Sequence, residues 1–376
     1  MDLIESIRAE ICGSPKQAIP FSRYMELALY HPRWGYYTTE RQKVGKAGDF
    51  YTSAAVHPVF AETLGDVVAV LCREAGFHRP VLVEIGGGTG AMCCSLLEGL
   101  RKSHAELYAR IRVIMIESSP YHRQRQQELL AGLDMDITWY ATLAEAANDG
   151  PIEGVILSNE WLDAFPVHIA RKEKRGWQEL WVRWEAGRFV EEFGEVTEEL
   201  AVCLESMGAE VPYGVRIEVN TGMEQAVRDI ARLLGKGFVI TIDYGDLQEE
   251  LYHPSRKDGT LMCYHRHQAN RNPYEHIGQQ DITAHVNFSA WMSHGEKAGF
   301  RTCAYMRQDQ FLIRSGLLQK AVAHDDRDPF HSQAIKRNRA IVQLVDPAGL
   351  GGRFRVVVQS RNMPEEAVFL VPQSGW

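Results

Sequence analysis

The sequence lacks both patterned cysteines and long apolar runs. Its seven cysteines, an odd number, include no C-x-x-C pair of the kind found in zinc ribbons and thioredoxin-type sites. Such a set is typical of a reducing compartment, so we expect a cytoplasmic protein with free thiols. No run approaches the roughly 18 consecutive apolar residues of a membrane span, and the acidic start MDLIESIRAEICGS does not resemble a signal peptide. We therefore expect neither of these segments.

Positive charge is also scarce. The 376 residues include 41 Lys and Arg against 49 Asp and Glu, which gives a net charge of -8. Phosphate binding needs clustered Lys and Arg, and we recognise no RNA-binding module, so RNA methylation and other nucleic-acid functions are disfavoured. Hydrophobic residues at 45% and charged residues at 24% are ordinary for a soluble globular protein. The length suits one large α/β domain with additions, or two domains.

From residue 81 onward, short apolar runs alternate with helix-compatible stretches. Strands that are apolar throughout predict a parallel sheet covered by helices on both faces, which is the doubly wound α/β fold. Ligands of this fold bind beyond the carboxyl ends of the strands. The predicted strands are VLVEI (81–85), RVIMIE (112–117), ITWYATL (137–143), GVILSNE (154–160), FVITIDYG (238–245), FRTCAYMR (300–307) and FRVVVQSR (354–361).

The residues before this sheet predict an N-terminal helical cap, residues 1–80, ahead of a core of residues 81–376. Within the cap, FSRYMELALY predicts a helix that has Ser22 as its N-cap and ends before Pro32. A second helix is predicted over roughly 59–75.

Two insertions are predicted within the core. Residues 168–213 include WQELWVRWEAGRFVEEF, whose alternation predicts a β-hairpin that turns at Ala186 and Gly187. Residues 246–287 form a polar connection with little periodicity, and a loop of that length is usually functional. We expect it to lie at the active site.

The stretch VEIGGGTG at 83–90 follows the first core strand and opens a helix. Its G-x-G-x-x-A spacing satisfies a loose dinucleotide fingerprint, so a nicotinamide or flavin site stays open, as does a purely structural turn. Gly86, Gly88 and Gly90 together with Glu84 suit S-adenosylmethionine better, because glycines let the backbone approach the methionine portion while Glu84 fixes the loop or faces the ammonium group. The loop therefore favours S-adenosylmethionine.

Polar side chains at the next strand ends extend this hypothesis. Glu117 ends the second strand, where a carboxylate can accept both ribose hydroxyls of either cofactor, although an acid there can also cap a helix. Asn159, Glu160 and Asp163 lie at or just past the end of the fourth strand, where a transferred methyl group would meet its acceptor. A helix cap would account for Asn159 but not for the acid beside it, so this segment favours methyl transfer over hydride transfer.

Eight ordered blocks from about residue 20 to residue 360 resemble the MidA-type class I methyltransferases. The blocks are HPRWGYY, GDFYTSAAVHPVFAE, VEIGGGTG, SNEWLDAFPV, DYG (243–245), GTLMCYHRH, DITAHVNF and LGGRFRVVVQS. The resemblance implies a Rossmann-like, seven-stranded α/β fold and an enzyme dependent on S-adenosylmethionine. Mitochondrial members are protein arginine methyltransferases that assist complex I assembly, so the resemblance also implies a protein substrate that is methylated on arginine.

The motifs and the resemblance together assign the site. We expect the cofactor to be bound by Gly48, Asp49, Phe50, Tyr51, Thr52, Glu84, Gly86, Gly88, Gly90, Glu117, Ser118, Leu143 and Asn159. Glu160 and Asp163 are the candidate carboxylates for holding a guanidinium, since a bidentate carboxylate–guanidinium pair is a strong polar contact. Asp243, Tyr244 and His285 are further catalytic candidates.

The sequence departs from the family pattern in three places, and the two that involve a missing acid concern the acceptor more than the cofactor. Gly87 replaces a proline in the glycine loop, Asn287 replaces an acid, and Ala54 and Ala55 follow Ser53 where Pro-Glu is usual. Arginine methylation is thus a more specific prediction than methylation itself.

We expect no metal, because the histidines of the long connection lack acids at ligand spacing. Two other functions stay open, a nicotinamide-dependent oxidoreductase and an assembly chaperone with a vestigial cofactor site. A hairpin bearing Trp177, Trp181 and Trp184 is a candidate surface for a homodimer.

Overall fold

The computed structural model describes residues 2–40, 57–208, 210–324 and 332–364. The helices are α1 Leu3–Gly13, α2 Phe21–Tyr30, α3 Val59–Glu74, α4 Ala91–Ser103, α5 Ala105–Tyr108, α6 Pro120–Leu130, α7 Leu143–Ala147, α8 Glu198–Ser206, α9 Met223–Leu233, α10 Gln248–Leu251, α11 Phe288–Lys297, α12 Gln308–Arg314, α13 Gln333–Val345 and α14 Leu350–Arg353. The strands are β1 Ala18–Pro20, β2 Val81–Ile85, β3 Arg112–Ile116, β4 Ile137–Tyr140, β5 Ile152–Asn159, β6 His168–Glu173, β7 Gly176–Glu185, β8 Arg188–Gly194, β9 Arg216–Val219, β10 Leu234–Asp246, β11 Met262–His265, β12 Gln268–Asn270, β13 Asp281–Thr283, β14 Val286–Asn287, β15 Arg301–Arg307 and β16 Phe354–Arg361.

These elements form two compact units, each assembled from separated stretches of chain. The first unit comprises the described residues of 1–50, 162–225 and 245–291, and the second comprises those of 51–161, 226–244 and 292–376. The division into a cap of residues 1–80 and a core of residues 81–376 stays a prediction.

The second unit is built on the predicted seven-stranded sheet, with the strand order β15-β16-β10-β5-β2-β3-β4. The strands from β10 to β4 are parallel, whereas β16 runs antiparallel to both β10 and β15. The α/β class and all seven strands are therefore confirmed, although the sheet is mixed rather than wholly parallel. Strand β4 ends at Tyr140, earlier than predicted, because Thr142 caps helix α7 with its side chain.

The main core of the second unit lies between this sheet and its helices. Every residue of β2 is buried, which is what its continuous apolar run predicts. Helices α3 and α4 pack closely at Gly65, where an added Cβ would lie 3.2 Å from the carbonyl oxygen of Leu96. Helix α4 starts directly after Gly90, so the glycine loop joins the end of β2 to a helix N-terminus, as predicted.

The first unit contains a five-stranded sheet, β1-β7-β6-β9 with β8 paired to β7, and a small sheet, β12-β11-β13. The predicted hairpin is confirmed, since β7 and β8 pair around Ala186 and Gly187, both of which have positive φ. The connection at 246–287 is less irregular than predicted because β11 to β14 lie within it.

The predicted N-cap of α2 was wrong. Helix α2 begins at Phe21, with Pro20 at the N-cap position, and ends at Tyr30 as expected from Pro32. Ser22 lies inside the first turn, and its Oγ is 3.4 Å from His168 Nδ1.

Candidate functional site

The glycine loop of the second unit adopts backbone conformations that explain its composition. Gly86, Gly88 and Gly90 have φ values of 69°, 51° and 82°, in the left-handed region that side chains with a Cβ rarely adopt. The loop is closed by the N–H of Gly90, which donates to the Gly87 carbonyl at 2.9 Å. The three spaced glycines therefore fix a tight connection between β2 and α4.

Glu117 binds this loop to the end of β3. Its Oε2 accepts a hydrogen bond from the N–H of Gly88 at 3.2 Å, and its Oε1 accepts one from the N–H of Ser119 at 2.9 Å. The side chain is buried. A carboxylate oxygen has two lone pairs, so Glu117 retains capacity to accept further donors such as ribose hydroxyls.

Gln126, on α6, contacts the loop from the other side, and the sequence reasoning missed it. Its Nε2 donates to the Gly88 carbonyl at 2.8 Å, while its Oε1 accepts from Trp139 Nε1 at 3.1 Å. The only signal in the sequence was its position in the helix that follows Glu117.

Glu84 is a buried acid beside the glycine loop. The side chain is 2% exposed, and burial raises its pKa to about 7, with Glu117 adding to the rise and a hydrogen bond from Cys93 opposing it. A Cβ at Gly87 would lie 3.0 Å from this carboxyl group and from Met115 Cε. Glu84 therefore lies directly beneath the glycine loop, where it supports the loop's shape.

Asn159 ends β5 and Glu160 follows it, on the same edge of the sheet. Glu160 has a φ of 51°, which is uncommon outside glycine, and its N–H donates to the Ile242 carbonyl at 2.9 Å. Its Oε1 accepts from Asn159 Nδ2 at 3.1 Å. The end of β10 thus holds Glu160 in a strained backbone conformation, a feature that tends to occur at functional sites.

Asp243 and Tyr244, near the end of β10, are engaged by neighbouring groups. Asp243 is fully buried and accepts from the N–H groups of Trp161 at 3.1 Å and Tyr244 at 2.8 Å. The centroid of the Tyr244 ring lies 3.8 Å from the centroid of the Phe354 ring. Asp243 therefore orders the segment after Glu160, while the catalytic roles of both residues stay predictions.

The first unit holds Asp163 together with a second buried acid. The Asp163 carbonyl accepts from the N–H of Ala284 at 3.0 Å, and Tyr37 donates from its hydroxyl to Asp281 Oδ1 at 2.8 Å. Burial raises the pKa of Tyr37, and the charges of Asp281, Tyr30, Asp163 and Tyr36 raise it further. The block HPRWGYY, the block DITAHVNF and residues 162–167 of SNEWLDAFPV therefore lie in this unit.

Other predicted site residues have more limited contacts. The N–H of His285 donates to Thr260 Oγ1 at 3.0 Å. Ser118 is exposed and Leu143 is buried at the start of α7. Gly48, Asp49, Phe50, Tyr51 and Thr52 lie outside the described residues.

Within residues 2–40, 57–208, 210–324 and 332–364, no group of three His, Cys, Asp or Glu side chains has a metal-binding arrangement. The same part of the chain contains no helix with both the length and the apolar character of a membrane span.

The edge of the sheet near the glycine loop has the chemistry that S-adenosylmethionine needs. Glu84 Oε1 and Asn159 Oδ1 are buried acceptors with no hydrogen-bond donor among the described residues. The ammonium and hydroxyl groups of the cofactor are donors, and a buried acceptor left without one costs about 1–3 kcal/mol. No described atom lies within 4 Å of a Cβ built at Gly88, so the backbone there is open to a ligand.

Comparisons with known proteins agree with this chemistry. A family model described as "Putative S-adenosyl-L-methionine-dependent methyltransferase" matches residues 63–306. The chain belongs to this family. A crystal structure of a Burkholderia thailandensis protein bound to S-adenosyl-homocysteine is 35% identical, covers 98% of this chain and 94% of that chain, and has a TM-score of 0.85.

Two curated relatives are similar along most of their lengths. A Drosophila melanogaster protein, the mitochondrial homolog of the protein arginine methyltransferase NDUFAF7, is 26% identical over 94% of this chain and 83% of the relative. The mitochondrial NDUFAF7 of Danio rerio is 26% identical over 90% of this chain and 82% of the relative.

The family settles one of the open alternatives. The protein is a methyltransferase that depends on S-adenosylmethionine, and its fold is that of class I methyltransferases. A nicotinamide-dependent oxidoreductase is therefore excluded.

Proposed function

We propose that this methyltransferase transfers the methyl group of S-adenosylmethionine to arginine side chains of a partner protein. The curated relatives are named protein arginine methyltransferases and match at least nine tenths of the chain. The observation that carries the proposal is the conformation of Glu160, which has a φ of 51° and is held by a hydrogen bond from its N–H to the Ile242 carbonyl of β10. Such strain at a strand end is consistent with a carboxylate held for catalysis.

Glu160 has a definable role in this reaction. S-adenosylmethionine, when bound, supplies an electrophilic methyl group on a positively charged sulfur. Glu160 would hold the guanidinium of the acceptor through two hydrogen bonds and orient the nitrogen that attacks, since orientation alone can lower a barrier by several kcal/mol. A carboxylate can also accept the proton that leaves the methylated nitrogen.

The buried acids of the first unit support a cationic acceptor. Asp163 and Asp281 are 6% and 2% exposed, and both act electrostatically on the Tyr37 hydroxyl. Because buried carboxylates are costly unless they are paired or hydrogen-bonded, the hydroxyl of Tyr37 stabilises Asp281 directly. We propose that Asp163 binds the acceptor, and His285 and Tyr244 stay candidates for acceptor contacts.

The proposal is tested by supplying the full chain with S-adenosylmethionine carrying a tritiated methyl group, together with proteins from cells that lack this chain. Hydrolysis and amino-acid analysis should recover the label in methylarginine. Label found only in methyllysine or in RNA would overturn the proposal.

Glu160 is tested separately with Glu160→Gln, which should retain affinity for S-adenosyl-homocysteine and lose about 100-fold or more in turnover. The matched control is Glu153→Gln, an exposed position on the same strand. Equal turnover of the Glu160→Gln variant would remove this residue from the mechanism.

The alternative of an assembly chaperone makes a different prediction. Gly88→Val should abolish cofactor binding, because valine at a φ of 51° is strained and its side chain occupies the open space beside the loop. A methyltransferase then loses activity, whereas a chaperone should still capture its partner.

We also propose a cytoplasmic location for this chain. All seven cysteines are free, and Cys72, Cys93 and Cys263 are buried, which supports a reducing compartment. The relatives described above are named mitochondrial. Microscopy of the tagged chain in its own cells would test the location.

We further propose that the chain forms a homodimer through the hairpin of β7 and β8. Trp177, Trp181 and Trp184 are half-buried on this hairpin. Light scattering of the full chain should give the mass of a dimer, and a Trp181→Lys variant should shift it toward that of a monomer.

A further inference from the structure

The peptide groups on both sides of Gly88 are held by side chains from elsewhere in the second unit. Glu117 Oε2 accepts from the Gly88 N–H at 3.2 Å, and Gln126 Nε2 donates to the Gly88 carbonyl at 2.8 Å. Gln126 is fully buried, although glutamine is usually exposed. The conformation of Gly88 is therefore fixed by a donor and an acceptor at once.

Trp139, on β4, fixes which way the Gln126 amide points. An indole N–H can only donate, so the group that it contacts at 3.1 Å must be the amide oxygen of Gln126. The amide nitrogen of Gln126 must then face the Gly88 carbonyl. The carbon chain of Gln126 also supports the loop, since a Cβ at Gly90 would lie 3.0 Å from its Cγ.

We propose that Gln126 and Trp139 are positioning residues for S-adenosylmethionine, which act by holding Gly88 in its binding conformation before the cofactor arrives. A loop that is already ordered binds its ligand without the entropic cost of ordering it. Neither side chain needs to contact the cofactor, and the inference does not depend on the identity of the acceptor.

The first test is Gln126→Glu, which keeps the shape of the side chain and the acceptor for Trp139 but removes the donor to Gly88. Calorimetry at pH 8 should show affinity for S-adenosyl-homocysteine reduced about 10-fold to 100-fold relative to the parent. As the pH falls, the introduced carboxyl group becomes protonated and can donate to the Gly88 carbonyl. The ratio of parent to variant affinity should therefore return toward one in acid.

A control variant at the neighbouring residue separates the effect of an added negative charge from the effect of losing the donor at Gln126. Gln127→Glu introduces the same group on an exposed part of α6 and should leave affinity unchanged at every pH. Unchanged affinity of Gln126→Glu at pH 8 would overturn the inference. A loss that does not vary with pH would also overturn it, because general damage to packing has no reason to be rescued by a proton.

Trp139→Phe provides a second test if the first variant does not fold. It retains an aromatic ring but removes the indole N–H together with part of the bicyclic ring, so the Gln126 amide is free to rotate away from Gly88. Affinity for S-adenosyl-homocysteine should fall several-fold. Parent-like affinity of a folded Trp139→Phe variant would rule out Trp139 as a positioning residue, and with it the proposal.

Discussion

The carboxylate of Glu117 accepts a hydrogen bond at 3.2 Å from the backbone N–H of Gly88, which lies 29 residues earlier in the chain. The contact joins the ends of the adjacent parallel strands β2 and β3. Parallel strands bring their carboxyl ends to one edge of the sheet, and ligands of doubly wound folds bind there. The same carboxylate that was predicted to bind ribose thus also shapes the loop beside it.

Replacing Glu117 with Gln should weaken cofactor binding. One oxygen becomes an NH2 group, so either Gly88 or Ser119 then faces a donor instead of an acceptor. We expect affinity for S-adenosyl-homocysteine to fall about 10-fold to 100-fold, which calorimetry measures directly. Glu128→Gln, at an exposed position of α6, is the control. Equal affinities of the two variants would show that Glu117 does not contribute to the cofactor site.

Local sequence patterns were sufficient to predict the central sheet and the glycine loop. The continuous apolar run of β2 follows from burial on both faces, and Gly86, Gly88 and Gly90 follow from their positive φ values. Both signals lie within a few adjacent residues, so they can be read without knowing the tertiary structure.

Contacts between distant segments could not be predicted in this way. Tyr37 donates to Asp281, 244 residues away in the chain, and no periodicity links the two positions. Gln126 appears in the sequence as an ordinary polar residue of α6, and only the neighbouring Gly88 and Trp139 give it a role. The prediction of Ser22 as the N-cap of α2 was wrong for a local reason. The hydroxyl of Ser22 favoured it as a cap, but the helix starts immediately after Pro20.

Alanine substitutions at Gly86 and Gly88 should differ in whether they mainly reduce stability or mainly reduce cofactor affinity. Either substitution places a Cβ in a left-handed conformation, which costs roughly 1–2 kcal/mol. At Gly86 the Cβ would also lie 3.0 Å from Trp161 Cδ1, whereas at Gly88 it would meet no described atom within 4 Å. Gly86→Ala should therefore reduce the free energy of unfolding more, and Gly88→Ala should reduce cofactor affinity more relative to its effect on stability.

Urea denaturation and calorimetry with S-adenosyl-homocysteine measure the two effects of these alanine variants. Gly132→Ala is the control, since this exposed glycine has no positive φ and no described atom within 4 Å of an added Cβ. If Gly86→Ala and Gly88→Ala lose stability and affinity in the same proportion, the space beside Gly88 is not where the cofactor binds.

Glu84 should make the stability of the protein depend on pH. Burial raises its pKa from an ordinary 4.5 to about 7, so between these values the folded state binds the proton more strongly than the unfolded state. The contribution of Glu84 to the free energy of unfolding is then largest in acid and falls as the pH rises through 7, by about 3 kcal/mol in total.

Glu84→Gln tests this dependence because glutamine does not titrate. Relative to the parent, the variant should gain stability in urea denaturation between pH 5 and pH 8. A stability difference that is the same at both pH values would contradict the raised pKa. Glu153→Gln, at an exposed position, should show no such change.

Asn287 stands where the resemblance to the MidA-type methyltransferases implies an acid, and its contacts give a structural reason why an amide fits this position. Its Oδ1 accepts from the N–H of Ala290 at 3.0 Å, near the start of α11, and its Nδ2 donates to the hydroxyl of Tyr252 at 2.9 Å. An aspartate could keep the first contact and could accept from the tyrosine hydroxyl, which in this structure donates to Met207 Sδ at 3.3 Å. The amide and the acid therefore satisfy the same neighbours.

Asn287→Ala should accordingly destabilise the protein by about 1–3 kcal/mol, because it leaves the part-buried N–H of Ala290 and the buried Tyr252 hydroxyl without this partner. Asn287→Asp should cost less than Asn287→Ala in urea denaturation at pH 7, since both contacts can be remade. Tyr252→Phe combined with each variant gives a double-mutant cycle. Asn287→Ala should couple to Tyr252→Phe because each change removes the same contact, whereas Asn287→Asp should show little coupling because it keeps the contact. If Asp proves as destabilising as Ala while the acceptor profile changes, Asn287 acts in acceptor recognition rather than in supporting α11.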